Sequence, residues 1–136
     1  MNQNQQSLIN TLLAIQWIAL VTVMFGGEAL LRLSQGELSD HTTRYFRAGH
    51  AHAGVLVGIG MVLVLALGRT ELSNQGMVLT WLGWTIGVLM LSGGLFYHAY
   101  LGEPGESSPG TWITALGGIV LGIVAIWFAI QLLRAR

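Results

Sequence analysis

The sequence predicts an all-α fold, a single integral membrane domain of four antiparallel transmembrane helices. Three observations carry this. Of 136 residues, 53% are hydrophobic and 9% charged, with a mean hydropathy of +0.63, too apolar for a soluble domain of this size. Four segments, 7–33, 45–67, 76–100 and 111–133, satisfy the requirement of about 20 mainly apolar residues for a membrane span. Runs such as 55–67 lack the alternation of a β-barrel strand, which leaves helices as the spanning structure. The short connections leave no room for a second domain.

In the first helix, Glu28 follows the apolar run 8–25 and falls near the membrane boundary. The amino terminus lacks the basic region and small-residue cleavage site of a secretory signal, so this helix is expected to be retained. A polar linker follows, in which Ser39 or Asp40 can cap the second helix. That helix is expected to stop at Gly68. The third helix opens with Trp81 and Trp84 and closes with Phe96, Tyr97 and Tyr100, a distribution that resembles interfacial aromatic belts. A turn-rich segment, 102–110, comes next and reads more readily as a connector than as a lid. Ser108 and Pro109 suit the cap and first position of the fourth helix.

Small-xxx-small spacings at Gly54 and Gly58, Gly83 and Gly87, and Gly118 and Gly122 allow close helix approach, within one bundle or between copies. An oligomer, or membership of a larger membrane complex, is expected on these faces. The chain has no cysteine, which excludes disulfides, iron–sulfur clusters and covalent haem attachment. It has no lysine and zero formal charge, which argues against nucleic acid as a partner. The partner predicted throughout is the lipid bilayer. Arginines tie at three on each side, so the positive-inside rule does not orient the chain. Assigning Arg44 and Arg47 to a site places the termini on the cytoplasmic side of a bacterial inner membrane.

An antiparallel path brings Glu28, Arg44, Arg47, His50, His52, Tyr97, His98, Tyr100 and Trp112 to one membrane face. Ionisable groups at such depth are costly unless they pair or bind something. His50 and His52 are two apart and diverge by roughly 200° on a helix, so one mononuclear metal cannot take both. Three readings stay open. Each histidine can hydrogen-bond a carbonyl, water or Glu28 and do nothing more. Haem b is the sharper reading: neutral His52 or His50 ligates iron, glycines make room for the macrocycle, and Arg47 pairs with propionates, with His98 a further candidate. A bare metal held by Glu28, His98 and either His50 or His52 forms a 2-His-1-carboxylate set. Tyr97 can act as an acid or orienting donor, whereas Tyr100 reads as an interfacial anchor.

The segments Arg47-Ala48-Gly49-His50-Ala51-His52-Ala53-Gly54, Ser92-Gly93-Gly94-Leu95-Phe96-Tyr97-His98 and Ser108-Pro109-Gly110-Thr111 resemble those of a group of small bacterial four-helix membrane proteins, a resemblance that brings no activity with it. More distantly, the layout is similar to the styrene oxide isomerase and hydroxylaminobenzene mutase group. That resemblance implies haem b held between subunits, with His52 as axial ligand and Tyr97 near an active-site tyrosine. It implies an isomerase in which ferric iron acts as Lewis acid on a small apolar substrate. The Asn-Gly pair of that group is Val57-Gly58 here, which removes an amide that positions substrate. A second histidine on the iron would imply electron transfer or sensing instead. The reading from another class is a cofactor-free accessory subunit of a larger membrane complex.

Overall fold

The computed structural model describes residues 2–34 and 38–135, the side chains of 29–34 excepted. Linker residues Gln35, Gly36 and Glu37, the Arg32 side chain and Arg136 lie outside the described residues. The chain forms α1 (Gln3–Ser34), α2 (Asp40–Leu67), α3 (Asn74–Leu101) and α4 (Pro109–Arg134), with no strand among the described residues. All four helices are long and apolar enough to cross a membrane.

Serine caps set three of the helix starts. The Ser39 hydroxyl accepts from the Thr42 N–H at 3.1 Å, so α2 begins at Asp40 rather than at 45 as hydropathy suggests. Its first turns are polar, and the cap rather than apolar content fixes the start. Ser73, which the expected start at 76 leaves out, caps α3 by accepting from the Gly76 N–H at 3.2 Å. Ser108 caps α4 as expected, with Pro109 at the first position and a reciprocal bond from the Ser108 N–H to the Thr111 hydroxyl at 2.9 Å. The α2 helix does end at Gly68, but that glycine keeps a right-handed φ of −64°, so left-handed freedom is not what stops the helix.

The helices pack as a row. α1 lies on α2, α2 on α3 and α3 on α4; α1 touches α3 marginally, and among the described residues α4 touches neither α1 nor α2. The most deeply buried apolar side chains, Val64, Leu67 and Met77, gather with Ile9 and Leu12 toward the end of the helices away from the histidines. At mid-height, Gly60 makes room for Gln16 from α1 and Trp84 from α3. The Trp84 indole N–H donates to the Leu56 carbonyl at 3.0 Å. Trp84 is therefore a core residue rather than part of an aromatic belt.

The α3–α4 seam is closer still. A Cβ on Gly117 would overlap the Leu91 backbone, one on Gly94 would overlap Thr114, and one on Gly110 would lie 2.5 Å from the Gly94 carbonyl oxygen. Gly83 and Gly87 meet Val124 and Leu121, so that small-residue pair is used within the chain. By contrast, Gly58 and Gly122 face nothing within 4 Å.

Candidate functional site

The expected polar face divides into three separate environments. The first is at the end of α3. His98 is 1% exposed, and its Nδ1 lies 2.8 Å from the Ser108 hydroxyl that caps α4. The same hydroxyl accepts from the Gly110 N–H at 3.1 Å. The His98 ring packs edge-on against Tyr45 at 4.3 Å and His41 at 5.0 Å between centroids. The His41 Nε2 lies 3.4 Å from the His98 carbonyl oxygen. A Cβ on Gly102 would collide with the His98 imidazole, so this glycine ends α3 where a larger residue would displace the ring. A buried histidine satisfied in this way ties α3 to the start of α4. Above it, Asp40, His41, Arg44 and Tyr45 line a cavity of about 360 Å³ with Pro104 and Gly105 of the 102–110 connection.

His50 occupies the second environment. Its ring packs on the α1 backbone at Gly26 and Gly27; a Cβ on Gly27 would lie 2.8 Å from Nε2. From there His50 lines a cavity of about 440 Å³ between α1, α2 and α3. Phe96 lies beneath Gly49 and stacks near Phe46, closing the same level of α2 against α3.

The third environment is the outward side of α2. His52 is exposed and lines a shallow apolar recess with Ala51, Val55 and Leu56. Its Nδ1 lies 2.7 Å from the Ala48 carbonyl oxygen. A carbonyl only accepts, so in the neutral ring Nδ1 carries the hydrogen and Nε2 presents a lone pair. His50 and His52 do diverge, one toward α1 and the other away from the row.

His50, His52 and His98 therefore do not converge. Among the described residues no group of three or more His, Cys, Asp or Glu side chains could hold a metal ion. The Glu28, His50 and His98 set is not assembled, because α2 turns His50 toward α1 while His98 packs behind Tyr45. Arg47 is exposed and, five residues before His52, lies about 140° away round α2; Arg44 is nearer in angle, at about 80°. Tyr97 is 41% exposed and Tyr100 64%. Tyr97 is not among the residues lining the cavities above, and Tyr100 packs edge-on against Phe46 at 5.0 Å.

Sequence reasoning missed His41, Tyr45 and Ser108 as partners of His98. The signal was present: His41 and Tyr45 are four apart and share a helix face, and the start of α2 lies beside the end of α3. The chain matches no protein-family model, no curated protein and no solved structure.

Proposed function

We propose that this chain is a multi-pass membrane protein that binds haem b through His52 Nε2 on the outward face of α2, with a second copy of the chain covering the group. The contact pairs support an antiparallel arrangement: Gly83 with Val124, Gly87 with Leu121, and Gly94 with Gly110 run in opposite senses along α3 and α4. The observation that carries the haem reading is the bond from His52 Nδ1 to the Ala48 carbonyl. An N–H held by a backbone carbonyl fixes the tautomer and ring plane and raises the basicity of the other nitrogen, which is how metal-ligating histidines are oriented.

The surroundings fit a flat apolar group. Ala51 and Val55 flank the ring, and Val55, Ile59 and Val62 continue an exposed apolar surface along α2. Haem held by this nitrogen would supply its iron as a Lewis acid, suited to isomerisation of a small apolar substrate bearing oxygen or nitrogen. The protein's own part is to orient the imidazole, offer Arg44 or Arg47 to propionates, and exclude water with the apolar α2 face. Tyr97, exposed on α3, is the proposed polar group toward substrate.

An absorption spectrum of the purified protein, before and after haemin reconstitution, tests this. A Soret band lost in His52→Ala and kept in His41→Ala and His50→Ala is expected. A colourless protein after reconstitution, or a Soret band that survives His52→Ala, overturns it.

A further inference from the structure

The cavity of about 440 Å³ between α1, α2 and α3 has no part in binding at His52, which lies on the other side of α2. It exists because α1 and α3 both lean on α2 and barely touch each other. The residues around the gap at positions 19, 26, 53 and 93 are Ala or Gly and leave it unfilled. Lipid chains can fill an apolar gap. They cannot satisfy a hydroxyl.

Ser92 of α3 lines this cavity and is 4% exposed. Its Oγ has no hydrogen-bond partner among the described residues. A helical serine commonly donates to the carbonyl four residues back, as Thr22 does here to Ile18 at 3.0 Å; Ser92 forgoes that bond. A buried hydroxyl left unpaired is destabilising, and hydrocarbon offers no remedy. His50 lines the same cavity with a ring that, when neutral, holds one donor and one acceptor. Thr22 is the other polar residue of the lining, and its hydroxyl already donates to the Ile18 carbonyl; the remaining walls, including Val23, Val57, Val88 and Phe96, are apolar, and no Asp, Glu, Lys or Arg lines the cavity.

We infer that this cavity is a binding site for a small uncharged molecule, one or two rings in size, with a single hydroxyl or carbonyl oxygen. Ser92 and His50 hold that oxygen, and the apolar walls take the ring. A charged ligand is disfavoured because its desolvation is uncompensated. The volume lies within the range of sites that enclose such molecules. Entry is from the bilayer, through the gap between α1 and α3.

Equilibrium dialysis of the protein in phosphatidylcholine nanodiscs, against empty discs, tests the site with 1-naphthol and naphthalene as probes. We expect saturable binding of 1-naphthol at about one per chain. Ser92→Ala and His50→Phe each weaken it by about 5- to 10-fold, the equivalent of one hydrogen bond, and leave naphthalene within about twofold. Ser92→Thr keeps 1-naphthol binding, which separates loss of the hydroxyl from loss of the fold. His52→Ala binds 1-naphthol as the parent does, so failure of the haem reading leaves this site intact. Binding no greater than in empty discs overturns the inference. So does equal 1-naphthol affinity in the parent and Ser92→Ala. A phospholipid retained in native mass spectrometry that 1-naphthol does not displace also overturns it, by assigning the cavity to lipid.

Discussion

The α3–α4 seam and the α1–α3 gap are built from the same small residues and behave oppositely. In the seam, Gly94, Gly110 and Gly117 bring one backbone onto the next, and a methyl at any of them would strike main-chain atoms or Thr114. In the gap, Ala19, Gly26, Ala53 and Gly93 border empty volume, and a Cβ on Gly93 would meet nothing within 4 Å. The difference lies in what stands opposite. α4 presents glycine to α3 at two levels, so the two helices close, whereas α1 rests on α2 and leaves its side toward α3 unfilled. Small residues in a membrane helix thus mark either a close contact or an open cavity.

The largest effect is expected in the seam. Gly117→Ala places Cβ against the Leu91 backbone, which cannot yield as a flexible side chain can. About 3 kcal/mol of stability should be lost in detergent unfolding, and parent-like stability would mean that the seam is not closed at this level. Ser108→Ala removes both the α4 cap and the partner of His98 Nδ1. A loss of about 2 kcal/mol is expected from the same measurement, with Ser108→Thr recovering much of it. Gly87→Ala pushes on the Leu121 side chain, and its cost should be smaller, about 1 kcal/mol. At the other extreme, Gly58→Ala and Gly122→Ala meet open space. Each should be neutral or stabilising by about 0.5 kcal/mol. Destabilisation there, with a change of oligomer size in light scattering, would show that a second copy covers those faces and would sharpen the contrast between used and unused glycines.

Local signals were legible because they act within a few residues. Ser39, Ser108 and Pro109 sit where cap chemistry places them, and the divergence of His50 and His52 follows from helical period alone. Hydropathy alone starts α2 late, at 45, because it does not register a polar first turn, whereas the Ser39 cap marks the start at Asp40. By sequence Trp84 suits an interfacial belt as well as a core, and only the neighbouring Leu56 carbonyl and Gly60 decide for the core.

The sequence by itself determined four long apolar helices, their caps and the presence of several histidines near the ends of two of them, since length, composition and period are properties of single segments. The tertiary structure alone decided which side of α2 faces α1, and therefore that His50 opens into a cavity while His52 points away from the row. It also decided that His98 is held by Ser108, Tyr45 and His41 rather than joining the other histidines. Those outcomes depend on how helices rotate against their neighbours. That rotation is set by the summed fit of side chains from different segments, as where Gly60 admits Gln16 and Trp84 or Gly117 admits the Leu91 backbone.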